Sequence, residues 1–134
     1  MKLVIGGAYQ GKRDAACRMF GLRESELIDG RDCPLDVIKT CKAICNFHTY
    51  ILRCMESGQS LEDFASELAK ENPDLVIISD EIGYGVVPIE KELRAWREKT
   101  GRICCQLAAL SDTVVRVIAG VPCVIKDTSG GGQR

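Results

Sequence analysis

The first thirteen residues, MKLVIGGAYQGKR, constrain the fold more than any other stretch of the chain. Residues 3–5 form a short apolar run bounded by glycine, which is typical of a buried strand in a parallel sheet. Gly6-x-x-x-x-Gly11-Lys12 follows with the spacing of a phosphate-binding loop, and the next residues favour a helix. In such a loop, backbone N–H groups and the helix N-terminus hold phosphate oxygens, and the lysine reaches the terminal phosphates. We therefore expect a nucleotide at Gly6, Gly7, Ala8, Tyr9, Gln10, Gly11, Lys12 and Arg13.

Residue 13 departs from the usual loop. A serine or threonine normally follows the lysine, and its hydroxyl ligates Mg²⁺. Arg13 stands there instead, and a guanidinium pairs with phosphate but cannot bind a metal cation. The loop thus predicts binding of GTP or ATP, whereas a Mg²⁺ site would lack its usual hydroxyl ligand. A glycine-rich turn without a ligand is the alternative.

The rest of the chain alternates apolar runs with helical patterns, which predicts an α/β fold with a mostly parallel sheet flanked by helices and a C-terminal antiparallel strand pair. Further strands are expected at residues 26–29, 75–79, 114–118 and 121–125. Helices are expected at residues 14–20, 34–57, 61–70 and from residue 88 onward. We expect one nucleotide-binding domain over residues 1–126 and a flexible tail over residues 127–134.

Acidic side chains stand at the carboxyl ends of two predicted strands, where α/β sheets bind ligands. Asp29 is a candidate Mg²⁺ ligand, and a turn-forming aspartate before Gly30 is the alternative. Asp80 and Glu81 follow the strongest apolar strand and precede a glycine-containing loop. We expect Glu81 to act in catalysis with Lys12. The alternative is that the two acidic residues simply end the strand.

The charge balance excludes some classes of partner. Lys and Arg number 18 against 19 Asp and Glu, so the chain lacks the basic surplus of proteins that bind nucleic acid or anionic membranes. No apolar run is long enough to span a membrane, and the N-terminus has no signal-peptide pattern, so we expect a cytoplasmic protein. Its 8 cysteines have no C-x-x-C spacing and are expected to be reduced.

One alternative site lies in the predicted helix over residues 34–57. Cys41, Cys45 and His48 would recur there at helical spacing and could meet a metal ion. No fourth ligand follows at a familiar spacing, so we expect His48, the one histidine of the chain, to be a buried side chain instead.

The C-terminal part of the chain resembles the bifunctional adenosylcobinamide kinase / adenosylcobinamide-phosphate guanylyltransferase family of cobalamin biosynthesis. The resemblance rests on E-x-G-x-G-x-V-P from Glu81 to Pro88 and on the pattern Arg94, Arg97, Gly101, Arg102 in the following helix. It implies a RecA-like phosphate-loop fold, commonly trimeric. It also implies a GTP- or ATP-dependent kinase acting on the aminopropanol hydroxyl of a corrinoid, followed by GMP transfer through a guanylyl-histidine.

The chain also departs from that family. The segment that supplies the nucleophilic histidine in full members is represented only by residues 21–25, so we expect the guanylyl transfer to be absent and do not assign that role to His48. Gln10 and Arg13 replace serines, and Asp80 and Cys105 stand where asparagines are common. The sequence thus predicts a shortened nucleotide-binding relative with kinase-like activity. The alternative is a non-catalytic nucleotide- or corrinoid-binding module with a degenerate loop.

Overall fold

The computed structural model describes residues 1–82 and 90–128. Along these residues the elements follow in the order β1 (Lys2–Gly6), α1 (Lys12–Phe20), a 3-10 turn (Glu24–Glu26), β2 (Leu27–Asp29), a 3-10 helix (Leu35–Lys39), β3 (Ala43–Cys45), α2 (Phe47–Glu56), α3 (Phe64–Glu71), β4 (Val76–Asp80), α4 (Lys91–Leu110), β5 (Thr113–Ile118) and β6 (Val121–Asp127).

The strands form one sheet in the order β2-β3-β4-β1-β5-β6. All neighbouring pairs from β2 to β5 are parallel, and β6 returns antiparallel along β5. This arrangement confirms the predicted α/β class. Because β1 lies between β4 and β5 and pairs Gly6 with Asp80, the loop after β1 opens directly beside the carboxyl end of β4. Open α/β sheets bind ligands at this edge.

Helices cover both faces of the sheet. On one face, Ala15 and Ala16 of α1 pack with Val4 and Ile78, and these small side chains let the helix lie close to the strands. On the other face, α2, α3 and α4 bury a larger core that includes the stacked aromatic rings of Phe47 and Tyr50. The central strands are therefore apolar on both sides, as expected for a parallel sheet with helices on each face.

The predicted single helix over residues 34–57 is wrong. The stretch contains a short 3-10 helix, the buried strand β3 and then α2. Ala43, Ile44 and Cys45 are at most 2% exposed because β3 is inserted between β2 and β4. A three-residue apolar run inside a longer helical pattern cannot be recognised as a strand from periodicity. Cys41, Cys45 and His48 consequently do not share one helical face.

Other boundaries shift by a few residues. The helix predicted from Leu61 begins at Phe64, because residues 61–63 form a turn in which the Phe64 N–H donates to the Leu61 carbonyl. Strand β6 continues to Asp127, just beyond the predicted domain boundary. The predicted start of the last helix at Pro88 and the tail from residue 129 lie outside the described residues. Among the described residues, no helix has the length and apolarity needed to cross a membrane.

Candidate functional site

The phosphate-type loop is shaped by contacts with strands β5 and β6. A Cβ at Gly6 would lie 2.6 Å from the carbonyl oxygen of Val117, so only glycine fits there. At the tip of the loop, the carbonyl of Gln10 accepts a 2.8 Å hydrogen bond from the N–H of Gly120. The side-chain Oε1 of Gln10 accepts a second one, of 2.5 Å, from the N–H of Ala119. Gln10 therefore anchors the loop to the β5–β6 turn.

Lys12 is the buried cation of this loop. Gly11 adopts a left-handed conformation with φ of 83°, and α1 starts at the next residue. The Lys12 side chain is 8% exposed, and its Nζ lies 2.6 Å from Oδ1 of Asp80. Nζ also donates to the carbonyl of Gly7 at 2.7 Å. The ammonium group is thus held over the loop by one carboxylate and one backbone carbonyl.

His48 supports Asp80 from the other side. The Asp80 backbone N–H donates to His48 Nδ1 at 3.1 Å, and His48 Nε2 lies 3.4 Å from Asp80 Oδ2. Burial lowers the pKa of His48, an effect that the Asp80 carboxylate opposes and Lys12 adds to. Because Nδ1 accepts a hydrogen bond, the neutral imidazole carries its proton on Nε2, facing the carboxylate. Trp96 fixes the backbone here, since its Nε1 donates to the His48 carbonyl at 2.7 Å.

A cavity of about 500 Å³ opens between the loop and the strand ends. It is lined by residues 8–14 of the loop and α1 and by Glu24, Arg31, Cys45, Asn46, Ile78 and Asp80. Its lining side chains include three cations, Lys12, Arg13 and Arg31, and three acidic groups, Asp14, Glu24 and Asp80. The N-terminus of α1 also borders the cavity, and backbone N–H groups in the first turn of a helix have no partner within the helix. The arrangement suits an anion with several oxygens.

Asp29, the predicted metal ligand, is not among the residues that line this cavity. Its carboxylate accepts hydrogen bonds from the Arg31 guanidinium at distances from 2.7 to 3.2 Å and from Asn46 Nδ2 at 3.0 Å. The Arg31 hydrogen bonds hold the pKa of Asp29 well below its usual range, although burial opposes the shift. As placed, Asp29 fixes Arg31 and Asn46, which both line the cavity.

Mg²⁺ fits the described donors poorly. Arg13, at the position of the usual hydroxyl ligand, instead forms a 3.1 Å ion pair with Glu24 at the rim of the cavity. Asp80 lines the cavity but is paired with Lys12, and Asp29 is paired with Arg31. Within the part of the chain that the structure describes, no three His, Cys, Asp or Glu side chains are grouped to hold a metal ion, and this includes Cys41, Cys45 and His48.

Glu81 directly follows Asp80 at the end of β4, but its side chain contacts different residues. Its backbone N–H donates to the Gly6 carbonyl at 2.8 Å, which extends the β1–β4 pairing by one residue. Its Oε1 accepts a 2.8 Å hydrogen bond from Arg116 Nε on β5, and its side chain is 14% exposed. The carboxylate is therefore fixed beside, rather than inside, the loop cavity. The rest of the E-x-G-x-G-x-V-P motif lies outside the described residues.

The arginine-rich pattern of α4 faces outward. Arg102 forms an ion pair of 2.5 Å with Glu98, one helical turn earlier. A broad, open surface depression of about 670 Å³ runs along this part of the helix, and it is lined by Arg94, Arg97, Glu98, Gly101, Arg102, Cys105 and Gln106. The pattern thus contributes to this surface, and none of its residues lines the loop cavity.

The sequence predicted the loop and its lysine, but several other lining residues, among them Arg31, Cys45 and Asn46, were not expected at this cavity. Asn46 and Cys45 were hidden by the mistaken helix, and Arg31 stands in a polar turn without any motif. No sequence signal marks Asn46, because the preceding strand Ala43–Cys45 is too short to be recognised from its apolar pattern.

Comparison with known proteins identifies the family of the chain. The family model for cobinamide kinase / cobinamide phosphate guanyltransferase, named CobU, matches residues 39–125, about two thirds of the chain. The matched segment runs from the residues before β3 to β6 and contains Asp80, Glu81 and all of α4, whereas the glycine-rich loop precedes it. No curated protein matches the chain. Because the family model matches more than half of its residues, the chain belongs to the cobinamide kinase / cobinamide phosphate guanyltransferase family.

Proposed function

We propose that this protein binds GTP or ATP in the loop cavity and transfers the terminal phosphate to the hydroxyl of a cobinamide-type corrinoid. One observation carries the proposal: a buried lysine and a glycine-shaped loop border a cavity of about 500 Å³ beside two strand-end carboxylates. Family membership supports the choice of a corrinoid acceptor. GTP and ATP remain equal candidates because both carry the triphosphate that this cavity suits.

The loop would bind the phosphates through backbone N–H groups and the N-terminus of α1, with Lys12 on the terminal oxygens. Lys12 would have to exchange its contacts with Asp80 and Gly7 for phosphate oxygens. Arg31, which Asp29 holds at the cavity wall, would add a second cation. Catalysis of this kind depends on positioning and charge stabilisation.

The proposed reaction moves the terminal phosphoryl group to the acceptor hydroxyl. The acceptor hydroxyl oxygen bonds to the terminal phosphorus while the bond from that phosphorus to the bridging oxygen breaks. The nucleoside diphosphate leaves with the electron pair, and the hydroxyl proton passes to the carboxylate of Glu81. Because the described donors fit Mg²⁺ poorly, none of these reaction steps is assigned to a metal ion.

Guanylyl transfer through a histidine finds less support. Nδ1 of His48 accepts the Asp80 N–H, Nε2 faces the Asp80 carboxylate, and the side chain is 11% exposed. An imidazole held in this way supports a neighbouring side chain and offers no free nitrogen for a covalent intermediate. We therefore favour the kinase reaction.

A second candidate function is a non-catalytic nucleotide-binding module. The observation that favours it is the pairing of Lys12 with Asp80 together with Arg13 at the usual hydroxyl position. Such a protein would bind a triphosphate without transferring its terminal phosphate. Either function is compatible with a homo-oligomer, for which the exposed apolar residues of the edge strand β6 offer a surface.

The test is a transfer assay with purified protein, cobinamide, Mg²⁺ and either GTP or ATP, with phosphorylated cobinamide detected by mass spectrometry. We expect product with at least one nucleotide and a loss of about 100-fold or more in Lys12→Ala. Lys39→Ala is the matched control, because Lys39 is an exposed lysine that pairs with Glu71 away from the cavity. Nucleotide binding without product would support the module, and absence of binding would contradict both functions.

A further inference from the structure

We propose that Asp80 exchanges its charged partner when a nucleotide binds. Lys12 leaves the Asp80 carboxylate for the phosphate oxygens, and His48 takes up a proton from solvent and becomes the cation that faces Asp80. His48 does not line the loop cavity, so it is a positioning residue that acts on Lys12 through Asp80. This inference rests on the proposed nucleotide site and adds a coupling between nucleotide binding and pH.

The three side chains form a row across the carboxyl end of β4. Asp80 stands in the middle, with its Oδ1 2.6 Å from Lys12 Nζ and its Oδ2 3.4 Å from His48 Nε2. Each carboxylate oxygen therefore faces a different nitrogen, one from α1 and one from α2. A change at Lys12 reaches His48 through this one carboxylate.

In the nucleotide-free protein, the surroundings of His48 favour its neutral form. Its Nδ1 accepts the backbone N–H of Asp80 at 3.1 Å, and a proton on that nitrogen would end the hydrogen bond. Burial lowers the pKa of His48, Asp80 raises it, and Lys12 lowers it. From α4, the ring that faces His48 is the uncharged indole of Trp96, with 6.4 Å between the ring centroids.

A bound triphosphate would change the charge balance around Asp80. Lys12 Nζ donates to Asp80 and to the carbonyl of Gly7, so phosphate oxygens compete with both acceptors. A partly buried carboxylate that loses its cation next to added negative charge favours a proton on a neighbouring base. The stronger base at this carboxylate is His48, since an imidazole has a higher reference pKa than a carboxyl group.

The next acidic residue along the chain does not replace His48 in this role. Glu81 is a carboxylate and is paired with Arg116 on β5 at 2.8 Å. The charged groups at this end of the sheet thus form two separate sets, one around Asp80 and one around Glu81. The exchange of partners concerns only the first.

The direction of the pH effect follows from linkage. In the exchange, the nucleotide-bound protein holds the proton on His48 more tightly than the free protein does. Nucleotide affinity should therefore rise as the pH falls through the range in which His48 titrates. The terminal phosphate of a nucleotide also titrates near neutral pH, so the effect of His48 must be measured against a variant that lacks the imidazole.

The first experiment needs no ligand. The chain has one histidine, so the imidazole signals of untagged protein in NMR spectra belong to His48. Lys12→Met removes the cation from Asp80, and His48 should then titrate at a higher pH than in wild type. The control Lys39→Met, in which the lost lysine pairs with Glu71 away from the cavity, should titrate like wild type. An unchanged titration in Lys12→Met would overturn the exchange.

The second experiment repeats the NMR titration with protein saturated by the β,γ-imido analogue of GTP or ATP. His48 of the wild type should again titrate at a higher pH, as in ligand-free Lys12→Met. In Asp80→Asn the analogue should move the titration less, because the carboxylate that links the two side chains is missing. An equal change in both proteins would show that phosphate charge acts directly on the imidazole, and it would overturn the role of Asp80.

Calorimetry in buffers of different ionisation enthalpy counts the protons taken up with the same analogue. His48→Asn keeps an acceptor for the Asp80 N–H but cannot take the proton, and His48→Gln is the second variant if the first does not fold. Between about pH 7.5 and 6, the affinity of the wild type should gain about 2- to 5-fold more than that of the variant. Equal proton uptake in both would overturn the exchange.

These outcomes separate the exchange from the proposed function. Heat of binding without a change in the His48 titration would overturn the exchange and leave the nucleotide site intact. A wild type that binds neither analogue would contradict the proposed function and the nucleotide as the trigger, whereas the ligand-free titration of Lys12→Met would still decide whether Asp80 couples Lys12 to His48.

Discussion

At the scale of single residues, Asp80 connects most of the site. Its Oδ1 holds Lys12, its Oδ2 and backbone N–H face His48, and it lines the loop cavity. A triphosphate entering the loop must therefore compete with a carboxylate for the lysine. If a triphosphate binds, this competition would lower the affinity of the loop compared with a loop whose lysine is free.

Asp80→Asn should tighten nucleotide binding, because an amide at this position would no longer hold Lys12 as an ion pair. We expect GTP or ATP affinity to rise about 3- to 30-fold, the range for losing one competing charge contact. Fluorescence titration with a labelled nucleotide measures the change, and Asp112→Asn, a carboxylate next to Lys2 at the amino ends of β1 and β5, is the control. Weaker binding in Asp80→Asn would show that the carboxylate assists the ligand.

His48 should make folding stability depend on pH. Burial lowers its pKa in the folded state, so the unfolded state takes up a proton first as the pH falls. Stability should be constant above about pH 6.5 and decline below it, and His48→Gln should flatten this decline. Urea unfolding of both proteins between about pH 5 and 7.5 measures this decline in stability. Glu26, whose pKa is lowered to about 2, contributes only at more acid pH. An equal decline in His48→Gln would contradict the assignment.

At the scale of elements, the long apolar runs were predictable and the short ones were not. Strands β1 and β4 were found because each is a run of large apolar residues between polar or glycine boundaries. Strand β3 was missed because Ala43–Cys45 has three residues, and its pairing with β2 and β4 depends on distant parts of the chain. Of the site, the loop could be predicted because it has a fixed spacing. The cavity residues Arg31 and Asn46 could not, since only the sheet order brings them to the loop.

The close contact between the β2 and β3 ends depends on a glycine. A Cβ at Gly30 would lie 2.5 Å from the carbonyl oxygen of Asn46 and 2.9 Å from that of Cys45, and both are backbone atoms that cannot move freely. Gly30→Ala should lower the free energy of unfolding by about 2–3 kcal/mol. Gly101→Ala, in helix α4 with open space around it, should instead raise it by about 0.5–1 kcal/mol. Denaturant unfolding compares the two, and a neutral Gly30→Ala would contradict the packing described here.

At the scale of the whole molecule, the sheet has one apolar edge. Val121, Val124 and Ile125 of β6 are 54–64% exposed, next to the exposed Ile118 of β5. A strand edge of this kind is usually covered by charge or by another chain. None of the residues that line the loop cavity belongs to β6.

If copies of the chain associate through this edge, light scattering after gel filtration should give a mass above the monomer. Ile125→Glu should shift the mass to the monomer, because a charge would be buried against the partner strand. Glu62→Gln, an exposed position away from the edge, should leave the mass unchanged. A monomeric wild type would contradict the expected homo-oligomer without affecting the nucleotide site.

The most direct test of the central claim is a calorimetric titration of GTP and of ATP into wild-type protein, Lys12→Met and the control Lys39→Met. A nucleotide site at Lys12 predicts heat of binding for at least one triphosphate in the wild type, the same affinity in Lys39→Met, and at least about 10-fold weaker binding in Lys12→Met. Absence of heat with both nucleotides, or equal binding in Lys12→Met, would contradict it.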